Sequence, residues 1–493
     1  MTDLRQLVRG CTFDDFLFTP QYSVIERRDP TAIDLSSKLS EHLTLKRPIV
    51  SANMDTVTRA DMAIAIAEEG GLGIIDRGFR SGDIAPQVRE VERVKRRQHG
   101  VIPDPYTIRP DAPIREAVDI MRRTGVGTLV VVDNATRVAG LLTTRDLRFA
   151  GTNGTVAERM TPRARLVVSH AGTESAAAEA AMRTHKIKKL PLVDDDDRLV
   201  GLITAKDLLQ QERLPFATRD DQGRLRVGAA IGAKGDYLER AAELLRVGAD
   251  VIVIDIAHGH SAVMGRAIEA FRKQFGDIEL IAGNVATAEG TTFLVERGVN
   301  GAKVGIGPGG GCTTRLNTNF GVPQVEALVA CRAAAGQIPL IADGGVRRDG
   351  ALAQALLFGG DTVMLGSVLA GTIETPGDTV QKPVVIPESH KTVKVPFKVF
   401  RGMASLQAIV DRLDVEDAES ADVEALGAEG MEISVPARGS VRPVVRDMLK
   451  HLCSAISYGG ADSLAELREM FRKDPDRYVI RLTESSRRES FDR

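Results

Sequence analysis

The sequence predicts an α/β protein, a (β/α)8 barrel of the TIM type interrupted by an inserted pair of repeats. Three observations carry that expectation. Short apolar segments ending in glycine or a polar residue recur eight times, amphipathic alanine-rich stretches lie between most of them, and one interval, residues 77–224, is far longer than the rest and repeats itself.

The eight segments are RPIVSANMD (47–55), GGLGIID (70–76), LRVGAAIG (225–232), DVIVIDIAHGH (250–260), IELIAGNVAT (278–287), GAKVGIGPGGG (301–311), IPLIADGG (338–345) and DTVMLGS (361–367). Each reads as a buried parallel strand running into a loop. ADMAIAIAEEG, DYLERAAELLRVGA, AEGTTFLVERGV and PQVEALVACRAAAG read as the intervening helices, each closing near a glycine. An open doubly wound sheet is the alternative, but it gathers its ligands at one switch point. Polar, glycine-rich tips follow nearly every strand here, which suits a barrel better.

In the long interval, IREAVDIMRRTGVGTLVVVDNATRVAGLLTTRDL is echoed by AAAEAAMRTHKIKKLPLVDDDDRLVGLITAKDL. Met121 matches Met182, Gly140 matches Gly201 and Asp146 matches Asp207, an offset of 61 residues each time. Two copies of one α/β unit are therefore expected as an insert. The expected organisation is a first barrel part over 1–100, the repeated module over 101–214, and the second barrel part with a mobile flap and C-terminal segment over 215–493. The shared G-L-[LI]-T-x-[RK]-D-L ending resembles that of paired cystathionine-β-synthase (CBS) domains, a Bateman module. That resemblance implies a regulatory site for adenine or guanine nucleotides, with Asp146 and Asp207 as ribose contacts. The bland alternative is a structural spacer.

A net charge of −2 gives no electrostatic case for nucleic acid or an anionic membrane surface. No apolar run is long enough to span a bilayer, and the start lacks the apolar stretch of a signal peptide. Cys11, Cys312, Cys331 and Cys453 are scattered without a CxxC pair, so neither a disulfide framework nor a zinc site is indicated. A cytoplasmic protein is expected.

The sixth segment leads into GIGPGGGCTTR, residues 305–315. Its glycines allow positive φ and a close approach of backbone to ligand. Oriented amides and the following Arg315 favour the thiolate of Cys312, the form that acts as a nucleophile. Cys312 could instead be a small buried hydrophobe, the reading that suits Cys11, Cys331 and Cys453. A glycine-rich loop offers Cys312 little to pack against. The tips after strands seven and eight commonly hold phosphate in barrels. Gly344, Gly345 and Gly366 offer amides there and Ser367 a hydroxyl, while Asp343 suits ribose hydroxyls. A nucleoside monophosphate is the ligand these tips suggest. Asp255 and Asn284 end strands four and five, where a second ligand could sit. His258 and His260 form an isolated H-x-H and are read as ordinary loop residues.

Together with SANMDTVT (51–58), GGLGII (70–75), GRLRVGAAIG (223–232), IAGNVAT (281–287), ADGG, MLGS and RGMASL (401–406), these motifs resemble the IMP dehydrogenase/GMP reductase family over nearly the whole chain. The resemblance implies that Cys312 attacks C2 of the purine and that hydride moves to or from a nicotinamide. It gives Thr314 a part in activating water or leaving ammonia. Glu429 would read the base or transfer a proton. Met54, Asp343, Gly345, Gly366, Ser367, Gly402 and Met403 would hold the nucleotide, and Asp255, Asn284 and Gly305 would face the cofactor. The carbonyls of Gly307, Gly309 and Cys312 resemble a potassium site, to which the Glu489–Ser490 segment could belong. Homotetramers that pair into octamers are implied.

The direction of the reaction is less marked. The dehydrogenase (IMP and NAD to XMP) uses an arginine followed by tyrosine on its flap as the base for water. The reductase (GMP and NADPH to IMP and ammonia) lacks that pair. Here Arg412 follows Asp411, but Leu413 stands in the tyrosine's place, and no tyrosine occurs between Tyr237 and Tyr458. Arg412 is thus either the base or a surface residue of a helical, charge-rich flap. Gly310 stands where the dehydrogenase usually has a phosphate-binding serine, and Phe400 where a tyrosine usually precedes RGM. The CBS insertion and the tail favour the dehydrogenase, which is the reading adopted; GMP reductase is the alternative. A nucleotide sensor of weak turnover is an alternative of another class, opposed by the retention of Cys312 and Thr314. A barrel has no Rossmann acidic residue to select between them, so NAD and NADP are both compatible with the sequence.

Overall fold

The computed structural model describes residues 4–97, 101–102, 104–148, 153–173, 175–205, 208, 214–385, 391–413 and 427–491. The chain divides into two compact units, one of Met1–Lys95, Phe216–Arg219 and Leu225–Arg493, the other of Arg96–Pro215 and Asp220–Arg224.

The first unit is a closed parallel barrel. Its strands are β1 (Ile49–Ser51), β2 (Leu72–Ile75), β3 (Gly228–Ile231), β4 (Val251–Asp255), β5 (Leu280–Val285), β6 (Gly301–Val304), β7 (Leu340–Asp343) and β8 (Thr362–Leu365). They pair in that order, and β8 returns to β1 through Met364↔Val50. β2 meets β3 directly through Ile74↔Gly228, although the long insert separates them in sequence. All eight expected strands are present, each shorter than its apolar run. The glycines and polar residues at the end of each run leave the ladder and turn into the loops at the barrel mouth.

Strand side chains alternate between the barrel lumen and the surrounding helices, so both faces are dry. The lumen cluster includes Val50, Leu72, Ile74, Val253, Ile281, Ile341 and Met364. Its floor comes from a short hairpin, Ser37–Lys38 with Thr44–Leu45, that inserts Leu39, Leu43 and Leu45 into the same cluster. Nothing in residues 1–46 signals this plug by periodicity. Met54, at the mouth end, packs on the opposite side of the cluster.

Two additions frame the mouth and the flank. β9 (Val380–Val385), β10 (Thr392–Arg401) and β11 (Glu432–Pro436) form an antiparallel sheet beyond β8, with Arg401 opposite Glu432 at its inner end. On the flank, Phe16–Phe18 pairs with Val479–Arg481. Phe16, Phe18, Phe358, Phe471 and Tyr478 stack there with neighbouring ring centroids 5.2–5.8 Å apart.

The second unit holds the repeat. Helices Ile114–Thr124 and Ser175–His185 correspond, as do hairpins Thr128–Val132/Val138–Thr143 and Lys189–Val193/Leu199–Thr204. Each hairpin is the centre of a four-stranded sheet. The two hairpin tips meet in an antiparallel bridge between Arg137 and Arg198, reinforced by the Arg163–Asp197 ion pair at 2.7 Å. No helix among the described residues is long and apolar enough to cross a membrane.

Leu43→Ala in the plug is expected to lower stability by about 2–4 kcal/mol, the usual cost of a cavity in a well-packed core. A fall in the urea midpoint of the barrel unit checks it; an unchanged midpoint means that the hairpin does not seal the barrel floor.

Candidate active site

The loop after β6 is held open for a ligand by backbone that only glycine can supply. Gly305 has φ +149, and a Cβ there would lie 2.0 Å from the Asp343 carbonyl; Gly307 has φ +90 and is packed against Arg315. Further along, three backbones converge. A Cβ on Gly311 would meet the Gly402 nitrogen at 2.8 Å, and one on Gly402 would meet the Gly311 carbonyl at 2.3 Å. A Cβ on Gly430 would meet the Ser405 nitrogen at 2.6 Å. With no side chains in the way, Met431 N–H donates to the Gly311 carbonyl, Gly402 N–H to Met431, and Glu429 N–H to Ala404, all at 3.0 Å. Thr313 N–H donates to the Glu429 carbonyl at 2.8 Å. The cysteine loop, the RGMASL turn and the Glu429 segment are thereby stitched together.

The stitch aligns three side chains. Cys312 Sγ donates to Thr314 Oγ1 at 3.2 Å, and Thr314 Oγ1 donates to Glu429 Oε2 at 2.7 Å. Cys312 is partly exposed, whereas the other three thiols are buried. Burial pushes Cys331 and Cys453 up to about 11, and Cys11 upward, so those thiols stay protonated at neutral pH. Arg315 makes no described hydrogen bond to the thiol: its guanidinium donates to the Ile306 and Val322 carbonyls beneath the loop, near enough for a charge interaction with Cys312.

Cys312, Thr314, Glu429 and Arg412 line one cavity of about 330 Å³ at the barrel mouth. The residues expected to hold a nucleotide line it too: Met54, Asp343, Gly344, Gly345, Gly366, Ser367, Gly402 and Met403. So do Asp255, Asn284 and Gly305 on the side expected for a cofactor, and Gly307 and Gly309 of the expected cation site. On the wall where a phosphate is expected, Gly310 leaves room for a Cβ 3.6 Å from that of Ser367, and the Phe400 ring closes behind at 4.0 Å. Neither supplies a hydroxyl.

Several lining residues were not singled out from sequence. Lys303, in the middle of β6, is buried with its Nζ 2.7 Å from Asp343 Oδ2 and 2.8 Å from Asp255 Oδ1. It also donates to Asn284 Oδ1, while Asn284 Nδ2 donates to Asp343 Oδ2 at 2.9 Å and to the Gly305 carbonyl at 2.7 Å. Burial opposes the ammonium charge, but the two carboxylates outweigh it and hold Lys303 above its ordinary value. Burial would likewise raise Asp255, but Lys303 and Arg77 hold it below the usual carboxylate range. The sequence signal was available: a lone lysine inside an apolar, doubly buried strand is rarely without a partner.

Arg412 follows a five-residue helix, Leu406–Val410, capped by Ser405, and donates to the Met403 carbonyl at 2.7 Å. It lines the cavity and does not lie on an outer flap surface; residues 414–426 of the flap lie outside those described. Burial, aided by the like charge of Arg77, pushes the Arg412 guanidinium down to about 10. Beside it Arg401 pairs with Asp55 at 2.6 Å and Asp411 at 2.7 Å, tying the flap arm to the tip of β1.

In the second unit, Asp146 Oδ2 accepts from Thr143 N–H at 2.8 Å and Thr143 Oγ1 at 2.7 Å, capping a short helix. Its counterpart Asp207 lies outside the described residues. His258 and His260 sit 6.3 Å apart on the surface, and no group of three or more His, Cys, Asp or Glu among the described residues could hold a metal.

Over residues 10–492 the chain matches the family described as IMP dehydrogenase / GMP reductase domain. It is 42% identical over 491 residues to inosine-5'-monophosphate dehydrogenase of Aquifex aeolicus (strain VF5), covering 99% of this chain and 96% of that one. It is 43% identical over 465 residues to the protein of the same name from Nitrosopumilus maritimus (strain SCM1), covering 93% and 94%. Among solved structures it is similar to a cysteine-to-alanine variant of GMP reductase from Trypanosoma brucei in complex with guanosine 5'-monophosphate. The TM-score is 0.87 at 36% identity, covering 98% of this chain and 97% of that one. The same reductase in complex with guanosine 5'-triphosphate gives a TM-score of 0.77 at 34% identity, covering 96% and 98%.

Gly402→Ala forces a methyl group against the Gly311 carbonyl and is expected to separate Cys312 from Glu429. A loss of turnover of at least about 100-fold is predicted, because misplacing reacting groups by an ångström has that cost. Thermal unfolding should fall by only a few degrees. Near-native turnover in a folded Gly402→Ala protein would show that the three-backbone stitch does not position the thiol.

Proposed function

The chain belongs to the IMP dehydrogenase / GMP reductase family, and from that premise we propose that it oxidises IMP to XMP with NAD and water through a bond between Cys312 and C2 of the purine. The observation that carries the reading is the Cys312–Thr314–Glu429 hydrogen-bond chain, opening into the same cavity as Arg412.

The nucleotide sits with its phosphate on the amides of Gly345, Gly366 and Ser367 and its ribose hydroxyls on Asp343; Gly344, Met54, Gly402 and Met403 complete the seat. The nicotinamide dinucleotide, bound beside Asp255, Asn284 and Gly305, supplies a hydride acceptor. Cys312 thiolate adds to C2, and loss of hydride from that carbon leaves a thioimidate on the enzyme. Water then adds to C2 and the C2–S bond breaks, returning the thiolate and giving XMP. Arg412, its proton affinity lowered by burial and Arg77, takes the proton from that water. Thr314 and Glu429 orient the water and carry protons to and from the base. The site offers carbonyl oxygens of Gly307, Gly309 and Cys312, neutral hard donors that suit potassium. Such an ion would stiffen the loop bearing the thiol.

Two observations favour a second reading. Leu413 gives Arg412 no neighbouring tyrosine, and the phosphate wall lacks hydroxyls at Gly310 and Phe400. As a GMP reductase, the same thiol would add to C2 of GMP. Glu429 through Thr314 would protonate the departing ammonia, and hydride from NADPH would displace sulfur to give IMP. The repeated unit, in either case, is assigned to binding an adenine or guanine nucleotide near Asp146 and Asp207, within homotetramers or octamers of a cytoplasmic enzyme.

Absorbance of the reduced nicotinamide, followed with IMP, NAD and potassium in one cuvette and GMP with NADPH in another, tests the direction. A rise in the first is expected. A fall confined to the second replaces the dehydrogenase reading by the reductase. The dehydrogenase reading further predicts that kcat rises with pH toward about 10, since the base must be deprotonated. Arg412→Gln should flatten that limb and cost roughly 10²–10⁴ in kcat, the range for a general base. A change of less than a few-fold assigns Arg412 to the cavity wall alone.

A further inference from the structure

The floor of the cavity contains a charged group that the mechanism above does not use. Lys303 is the only side chain described as bonding to both Asp343, at the end of β7, and Asp255, at the end of β4. Both contacts involve a single ammonium nitrogen, at 2.7 and 2.8 Å. Asn284, on β5, closes the arrangement, accepting from Lys303 and donating to Asp343 Oδ2. Three strands of the barrel thus send polar groups to one nitrogen carried by a fourth, while the lysine side chain itself is only 4% exposed.

A buried ammonium cannot turn to water when a partner changes its hydrogen bonding. Its charge is divided between two carboxylates, so a donor arriving at either one alters the pull on the nitrogen felt by the other. We propose that Lys303 is a positioning residue that couples the two halves of the cavity, so that occupancy of the Asp343 side changes the affinity of the Asp255 side, and the reverse. This rests on the reading that Asp343 receives the nucleotide ribose and Asp255 the nicotinamide dinucleotide. The coupling is reciprocal by linkage: whatever factor the nucleotide imposes on the dinucleotide's dissociation constant, the dinucleotide imposes on the nucleotide's. Arg77, whose Nε lies 3.6 Å from Asp255 Oδ2, touches only one of the two carboxylates in the described contacts and does not serve as the link.

The test is calorimetric, on the full-length chain carrying Cys312→Ala so that both ligands are present without turnover. IMP is titrated with and without saturating NAD, and GMP with and without NADP. In the productive pair each ligand is expected to change the other's dissociation constant by at least about five-fold, the lower end of ordinary coupling between sites. Lys303→Met should bring that factor to one while each ligand alone still binds. Lys303→Arg keeps the buried charge, and with it the fold, but meets the carboxylates through separate nitrogens; its factor should be reduced. A factor of one in the Cys312→Ala protein, or an undiminished factor in Lys303→Arg or Lys303→Met, overturns the coupling role. If no purine nucleotide binds at all, the functional reading itself falls and the inference with it.

Discussion

Everything at the mouth of this barrel depends on three polypeptide segments approaching more closely than side chains allow. Gly311, Gly402 and Gly430 each face another backbone at a distance where a Cβ would collide. Because that space is empty, the amides and carbonyls of the three segments satisfy one another. The approach brings Glu429, 115 positions from Thr314 in sequence, to within a hydrogen bond of it. A thiol at the end of a glycine loop would otherwise have neither a fixed direction nor a proton partner. Reactivity here is a matter of backbone geometry first and of side-chain chemistry second.

The second organising feature is electrostatic. At 2.7 Å two unit charges attract by about 6 kcal/mol at an effective dielectric constant near 20, while stripping each ion of water costs several kcal/mol. For Lys303, Asp255 and Asp343 these quantities nearly cancel, so the cluster adds little net stability. Its effect is to fix where the two carboxylates point. Arg401 and the buried Asp55 are likewise paired and hold the flap arm against β1, while Asp411, the second partner of Arg401, is solvent-exposed and adds little. Removing one member is a different matter, since the remaining buried charges are left uncompensated and about 3–5 kcal/mol is the usual penalty.

The barrel was legible because buried parallel strands leave continuous apolar runs with polar glycine-rich ends, and the repeat because its offset is constant. That the strand-tip residues from Met54 to Ser367 gather around one cavity was legible for the same reason: in a barrel those positions share one mouth. The floor hairpin was not, since Leu39, Leu43 and Leu45 form no run long enough to signal strands. The partners of Lys303 were not legible, because a single lysine inside an apolar run leaves the buried-strand pattern intact and the two carboxylates lie on other strands. Arg412 could be placed in the cavity only once the turn after Ser405 was seen, because its neighbours Met403, Arg77 and Asp255 come from separate segments. Residue types at motif positions state which chemistry is available; contacts between distant segments decide which groups take part.

The proposed chemistry requires a covalent bond between Cys312 and the purine. Quenching the enzyme in acid during turnover with IMP and NAD, and again with GMP and NADPH, then digesting it and weighing the peptides, reveals that bond. Covalent catalysis predicts a peptide spanning Cys312 that gains the mass of the purine nucleotide adduct in the productive mixture, and no adduct in Cys312→Ala. Turnover without any adduct on that peptide, or with the adduct on Cys11, Cys331 or Cys453, would contradict it.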